Sequence, residues 1–542
     1  MKVVDTIAHA MKAEGVEILF AYPVNPLIEA AAAVDIRTVI VRQERVGLHM
    51  ADAWSRVTSG NSIGVFCMQH GPGAENAFGA VAQAYSESVP VLVIPAGYPR
   101  RLAHYYPNFN STEQMRGITK WAEPVTMGRA VPEILRRIFF QLRNGRPGPV
   151  LLEVPLDVFN EDVPEFTYVP SFTARTAPDP KDVTVAAKVL AAAERPVIYA
   201  GQGVHYAKAW PELRALAEAW NIPVTTSIEG KSAFPEDHPL SLGSGGRANP
   251  RPVIEFLNDA DVILGVGCSF ALTGFGVGMP KGKTIIHATL DPMDLGKDVP
   301  AQHALIGDAQ LTLSALLAAM SGSDLAPARD RANVPAKIRA LRETWRAEWN
   351  HKLTHNEAPI NPYRVIAELD RLVAKDNVII THDAGSPRDQ LTPFWTSTTP
   401  LSYLGWGKTT QLGYGLGLAM GAKLAAPQKL CINVWGDAAI GFTGMDFETA
   451  VRERIPILSI LFNNFSMAIE LPIMQISTEK YRSTDISGHY ADMARAFGSY
   501  GERVTDPNQI VAALKRGIAA TEAGQPALLE FITSQEIEVS KG

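Results

Sequence analysis

The chain is poor in cysteine, and that narrows the field first. Among 542 residues there are three, Cys67, Cys268 and Cys431. Each falls in an apolar, strand-like run, which argues against a disulfide framework or a thiolate metal cluster and reads as a buried small hydrophobe. No run of 18 consecutive apolar residues occurs, so no membrane span is expected. The opening residues, MKVVDTIAHAMKAEG, carry apolar groups at helical spacing and lack the apolar stretch of a signal peptide. A cytoplasmic protein is expected. Charge of one sign is also missing as a block. The net charge is −6, with neither a basic patch nor a run of like charges, so nucleic acid and anionic membrane are not expected partners. Short-period repeats and low-complexity segments are absent.

What is present fits a soluble globular enzyme: 46% hydrophobic and 20% charged residues. At roughly 150 residues per domain the length predicts three or four domains. Apolar runs alternate with helical patterns. Strands are expected near 17–21, 36–41, 63–68, 91–96 and 149–155, then a Pro- and Ser/Thr-rich linker at 170–180. A second set follows near 196–200, 223–227, 262–266 and 284–290. A charged, alanine-rich stretch, 321–355, leads to a third set near 378–382, 430–435, 457–462 and 527–532. Short β-branched strands separated by helices indicate parallel sheets covered on both faces. The expected fold is therefore α/β, with three successive doubly wound parallel-sheet domains at 1–170, 181–325 and 356–542.

One stretch organises the rest, VWGDAAIGFTGMDFETAVRERIPILSILFNNFSMAIE at 434–470. An apolar strand stops at Gly436-Asp437, and a second stops at Asn463-Asn464, with 24 residues (439–462) between Ala438 and Asn463. That length accommodates a turn, a helix near 444–454 and the return strand, which makes one βαβ unit. Its polar tips then lie side by side at the carboxyl ends of neighbouring parallel strands, where open α/β sheets bind ligands. A carboxylate, an amide oxygen and a backbone carbonyl converging there form a hard oxygen site suited to Mg²⁺.

The pattern GD-A-x24-NN resembles the GDG-x-NN signature of thiamine-diphosphate (ThDP) enzymes, with Ala438 in place of the third glycine. Further segments resemble the acetolactate-synthase-like group of that family, in order along the whole chain. They are VRQERVGLHMADAWSRVTSG (41–60), MQHGPGAENAFGAVAQAYSESVPVLVIPAG (68–97), RPGPVLLEVPLDV (146–158), TTSIEGKSAFPEDHPLSLG (225–243), IIHATLDPMDLGKDVPAQHALIGDA (285–309), HDAGSPRDQ (382–390) and GKTTQLGYGLGLAMGAKLA (407–425).

The resemblance implies roles. Asp437, Asn464 and the Ser466 carbonyl would hold Mg²⁺ and through it the diphosphate. Backbone around Gly385, Ser386, Pro387 and Arg388, and around Gly436, Ala438 and Ala439, would complete the phosphate cradle, with Arg388 a candidate phosphate or substrate contact. Glu44 would bind N1′ of the aminopyrimidine, where a carboxyl of raised pKa can share a proton with the ring. Leu412 would be the wedge that folds the cofactor, and the Thr410 carbonyl would accept from its 4′-amino group. The glycines from 405 to 417 do not follow a strand in GxGxxG spacing, so a dinucleotide fingerprint is rejected there. The pocket over the reacting carbon would draw on Pro23 and its neighbours Tyr22, Val24 and Asn25, on Gln69, His70 and Asn76, and on Trp406, Met467, Ala468, Ile469 and Glu470. His70 and Glu470 are the candidate proton-handling groups.

The activity so implied makes or breaks a carbon–carbon bond next to a carbonyl, with 2-oxo acids and aldehydes as the small-molecule substrates. Carboligation leads, with benzoylformate-decarboxylase-like decarboxylation as the alternative. In the family Glu44 and Asp437 meet across a subunit interface, which implies a homodimer at minimum and commonly a homotetramer. A third reading is a flavin (FAD) or nicotinamide oxidoreductase using AGQGV (200–204) and LGVGC (264–268) of the central unit. A fourth is a member that keeps the fold without turnover, motivated by Ala438.

Overall fold

A computed structural model describes residues 1–322 and 325–542. Of the charged connector at 321–355, positions 323–324 lie outside the described residues. The described residues hold three six-stranded sheets, and every named pairing is parallel. The first contains β1 (Ile18–Tyr22), β2 (Arg37–Ile40), β3 (Gly64–Met68), β4 (Val91–Gly97), β5 (Trp121–Pro124) and β6 (Val150–Pro155), in the order β2-β1-β3-β4-β6-β5. The second contains β7 (Pro196–Ala200), β8 (Val224–Ser227), β9 (Ser241–Gly245), β10 (Val262–Val266), β11 (Thr284–Thr289) and β12 (His303–Ile306), in the order β12-β11-β10-β7-β8-β9. The third contains β13 (Val378–His382), β14 (Tyr403–Leu404), β15 (Leu430–Gly436), β16 (Leu458–Asn463), β17 (Tyr500–Val504) and β18 (Ala527–Ile532), in the order β14-β13-β15-β16-β18-β17.

Counted within each sheet, the first and third share one topology, 2-1-3-4-6-5, whereas the second runs 3-2-1-4-5-6 once its strands are numbered outward from β7. Each order reverses beside its first strand, and ligands bind open α/β sheets outside the strand ends at such points. In the third sheet this reversal lies between β13 and β15, the strands followed at once by Asp383 and Asp437. Val93, Leu151, Leu264 and Ile432 typify the fully buried strand residues that parallel sheets require on both faces.

The first and third sheets share one apolar core. The helix Glu44–Val57 lies against the helix Tyr414–Ala425. Glycines make the approach possible. A Cβ at Gly417 would sit 2.4 Å from the His49 Cβ, and one at Gly421 would sit 2.2 Å from the Met50 carbonyl oxygen. The 321–355 connector contains one long helix, Val334–Thr354, which packs on the helices Arg251–Asp259 and Pro362–Leu372 and so joins the second unit to the third.

The structure corrects the expected helix at 444–454. A helix starts at once, Asp437–Thr443, followed by a 3₁₀ turn at Gly444–Asp446 and a short helix Phe447–Arg452. With no intervening loop, Asp437 becomes the first residue of the helix.

Candidate active site

At the carboxyl end of β15, Asp437 is 4% exposed. Its Oδ1 accepts from the Ala438 amide at 2.9 Å, and its Oδ2 from the amides of Asn464 at 3.1 Å and Ser466 at 3.3 Å. The Asn464 Oδ1 accepts from the Ser466 amide at 3.0 Å. Asn463, the other half of the pair, plays a different part. Its side chain donates to Glu530 at 2.7 Å and accepts from the Phe465 amide at 3.1 Å, which fixes the turn where Phe465 takes φ +57°. Burial pushes the Asp437 carboxyl up to about 6, against the pull of the surrounding amides. Among the described residues no group of three or more His, Cys, Asp or Glu could hold a metal ion. The side chains here bring together one carboxylate and one amide oxygen, hard donors of the kind Mg²⁺ takes.

The candidate cradle residues converge. Gly385 takes φ +81° and precedes the helix Ser386–Phe394. A Cβ on it would lie 3.6 Å from the Ile469 Cδ1, and a Cβ on Gly436 would lie 3.8 Å from the Pro387 Cγ. So two loops from different strands, 385–387 and 467–469, flank the Asp437 tip. The Ser386 and Arg388 amides belong to a helical first turn, whose N–H groups lack intrahelical partners and suit an anion. Ala438 and Ala439 lie in the first turn of the helix Asp437–Thr443, where alanine is a better helix former than the glycine it replaces. The Arg388 side chain turns elsewhere. It is buried, donates to Asp389 at 2.8 Å, and stacks its guanidinium 4.2 Å over the Phe275 ring of the central unit.

In the first unit, Glu44 opens the helix Glu44–Val57 and is 5% exposed. Asn76 Nδ2 donates to its Oε2 at 3.2 Å. Burial raises its pKa, only partly offset by its own backbone amide and by Asn76. His70 packs edge-on to Tyr98 with centroids 4.6 Å apart, its Nδ1 is buried without a partner, and burial lowers its pKa. Pro23 is exposed just beyond β1. Thr410, Leu412, Met467 and Glu470 are half-buried and Ala468 is buried, the last three spanning the 3₁₀ turn Ala468–Glu470 and its approach. Trp406 is not a pocket residue. It is fully buried, stacks on His382 at 4.9 Å and donates to the His382 carbonyl at 3.1 Å.

Sequence reasoning missed Asp383. Its carboxylate accepts from the amides of Ala384 at 2.8 Å, Gly413 at 2.9 Å and Gly415 at 3.0 Å, and burial pushes it up to about 7. It thereby ties the glycine-rich loop before the helix Tyr414–Ala425 to the end of β13. Its position, an acid immediately after an apolar strand, was the available signal.

Comparison with known proteins decides the family. Three models match in sequence order: the thiamine pyrophosphate enzyme N-terminal TPP binding domain at residues 1–120, the central domain at 183–316 and the C-terminal TPP binding domain at 383–531. A probable acetolactate synthase large subunit of Methanocaldococcus jannaschii is 31% identical across 98% of this chain and 92% of that protein. The chain belongs to the thiamine pyrophosphate enzymes, in their acetolactate-synthase-like group. Another probable acetolactate synthase large subunit, from Methanococcus aeolicus, is 29% identical over 97% of this chain and 91% of its own length. The acetolactate synthase isozyme 3 large subunit of Escherichia coli is 28% identical over 95% and 92%. This thiamine pyrophosphate enzyme is thus a ThDP-dependent carboligase by kinship over essentially its full length. No helix among its described residues is long and apolar enough to cross a membrane.

Proposed function

We infer that this carboligase joins the acyl unit of a 2-oxo acid to an aldehyde or to a second 2-oxo acid, and that it requires Mg²⁺. The observation that supports the reading is the buried Asp437 carboxylate, which accepts from the Asn464 and Ser466 amides with the Asn464 side-chain oxygen on the same turn, beside the 385–387 and 467–469 loops. The first unit (1–170) is the pyrimidine-binding domain, 181–325 the central domain and 356–542 the diphosphate-binding domain.

When bound, ThDP supplies the carbon nucleophile that attacks the substrate carbonyl, chemistry that belongs to the cofactor. The chain's task is to bind, orient and exclude water. Asp437, Asn464 and the Ser466 carbonyl would hold the metal. The first-turn amides around Gly385, Ser386 and Arg388, with Gly436, Ala438 and Ala439, would hold the diphosphate. Glu44, whose pKa burial raises, would bind the pyrimidine nitrogen and share a proton with it. Leu412 and the Thr410 carbonyl set the pose of the ring. Pro23, Asn76, Met467, Ala468 and Ile469 line the approach, and His70 and Glu470 handle protons on substrate. His70 is suited to that work as a neutral imidazole, since burial lowers its pKa.

A homodimer at minimum, and a homotetramer as the usual assembly, is supported by the strongly exposed Ile473, Ile476 and Tyr481 just past the site, apolar surface that a second copy would cover. Three buried free cysteines suit the reducing cytoplasm. Product analysis with pyruvate and with benzoylformate, each with and without an added aldehyde, tests the assignment. Acyloin or acetohydroxy acid products are expected. Free aldehyde alone would instead support the benzoylformate-decarboxylase-like alternative.

One observation favours a second ligand. A cavity of about 250 Å³ lies between the first and central units, lined by Gly201, Gly203 and Gly267 with Arg146, Arg175 and Lys408. It sits at the reversal between β7 and β10, where dinucleotides bind sheets of this order. FAD there, and with it a flavin oxidoreductase, is the reading from another class. A flavin absorbance band in the purified protein would support it, and its absence after reconstitution with FAD would dismiss it.

A further inference from the structure

The loop that carries Thr410 and Leu412 is not fixed by its own unit alone. Asp383 grips its far end at Gly413 and Gly415. The near end is gripped by the first unit of the same chain, through two buried polar side chains that the cofactor assignments leave unused. Gln83, 1% exposed on the helix Pro72–Ser86, accepts from the Thr409 hydroxyl at 2.8 Å and the Gln411 amide at 3.2 Å, and donates to the Thr409 carbonyl at 3.3 Å. Glu87, fully buried, accepts on one oxygen from the amides of Gly407 at 3.1 Å and Lys408 at 2.8 Å, and from Gln83 Nε2 at 3.2 Å. The Gln411 side chain is held in turn by His49 at 2.8 Å and closes over Gly79, where a Cβ would lie 2.4 Å away.

The arrangement is more specific than packing needs. Burying a carboxylate is costly, and an apolar pair would fill the same space without that penalty. What the polar pair adds is direction. Of the residues from Gly407 to Gln411, all but Thr410 have a backbone or side-chain group bonded to Gln83 or Glu87. The same helix that carries Gln83 carries Asn76, bonded to Glu44, seven residues earlier, or about 10 Å along the axis. One rigid rod therefore sets both the candidate proton-exchanging acid and the loop bearing the candidate wedge.

We propose that Gln83 and Glu87 are positioning residues that hold the 407–411 backbone, and with it the Thr410 carbonyl and the Leu412 side chain, in the pose a bound pyrimidine requires. The proposal rests on the ThDP reading, and its test separates the two. Amide hydrogen exchange of the cofactor-free protein reads the strut directly. Gln83→Met should speed exchange at Gln411 at least tenfold while Gly413 and Gly415, bonded to Asp383, stay slow. Glu87→Ala should do the same at Gly407 and Lys408, and Glu87→Gln, which keeps a carbonyl acceptor, should restore protection.

Titration then compares two probes in the presence of Mg²⁺. Gln83→Met should bind ThDP at least tenfold more weakly than wild type, yet bind inorganic pyrophosphate, which reports only the diphosphate end, within about twofold. Wild-type exchange and wild-type ThDP affinity in Gln83→Met would overturn the proposal. Equal weakening of both probes would also overturn it, by marking a general structural role. Should wild type bind pyrophosphate but not ThDP, the cofactor reading fails while the exchange data still judge the strut. If Gln83→Met does not fold, Thr409→Val removes one bond to Gln83 and carries the same tests, with unchanged exchange at 409–411 counting against the proposal.

Discussion

Glu44 and Asp437 are each buried among N–H donors, and neither forms an ion pair among the described residues. Burial pushes both toward the protonated form, and the roles proposed for them are a proton-sharing acid and a cation ligand. Their consequences differ. Glu44→Gln keeps the shape and cannot exchange the proton, so turnover should fall by about 10²–10⁴-fold while ThDP binding stays within severalfold. Steady-state kinetics beside a binding titration checks this, and near-normal turnover would remove Glu44 from the mechanism. At this scale the sequence was legible where residues act locally. Asp437 and Asn464 sit at the ends of one βαβ unit, so spacing brought them together, whereas Ser466 came from the resemblance. Glu44 was visible only through resemblance, since a carboxylate between two arginines reads equally as surface. Asp383 had only its place after an apolar strand to mark it, and Gln83 and Glu87 had nothing, because the loop partners of all three lie 30 to more than 300 positions away and no short pattern encodes such pairs.

Among elements, the helices Glu44–Val57 and Tyr414–Ala425 decide how the first and third units meet. Gly421→Ala would place a methyl group 2.2 Å from the Met50 carbonyl oxygen, a backbone atom that cannot step aside. The expected loss is about 1–3 kcal/mol, read from chemical denaturation, and an unchanged midpoint would contradict the close packing. Strands within the sheets were legible as apolar runs such as Val262–Val266 and Ala527–Ile532, found with their observed bounds. The missed strands were β5, β9, β12, β14 and β17, and every one of them lies at a sheet edge. An edge strand buries less and so carries less apolar signal, as Trp121–Pro124 and Tyr500–Val504 show with their mostly half-buried residues. Strand order was not legible, since it depends on which crossovers pack rather than on any local pattern.

For the molecule as a whole, the proposed metal role of Asp437 ties stability to metal and pH. Its folded-state pKa of about 6 lies above its ordinary 3.8. The cofactor-free fold therefore holds this proton more tightly than the unfolded chain does, and that contribution, complete below the ordinary 3.8, is lost as pH rises through about 6. A divalent cation offsets the penalty only where the carboxylate is ionised. The rise in Tm on adding Mg²⁺ and ThDP should be larger at about pH 7.5 than at about pH 5.5, on either side of that folded-state value, as thermal unfolding would register. Equal rises at both would argue against Asp437 as the ligand. The kinship spans all three sheets. The most direct test of the proposed metal role is calorimetric titration of the metal-free protein with ThDP, with and without Mg²⁺, in wild type and Asp437→Ala. Saturable binding in wild type that needs Mg²⁺, and its loss in Asp437→Ala even with the metal present, is the predicted result; binding indifferent to both the metal and the substitution would contradict it.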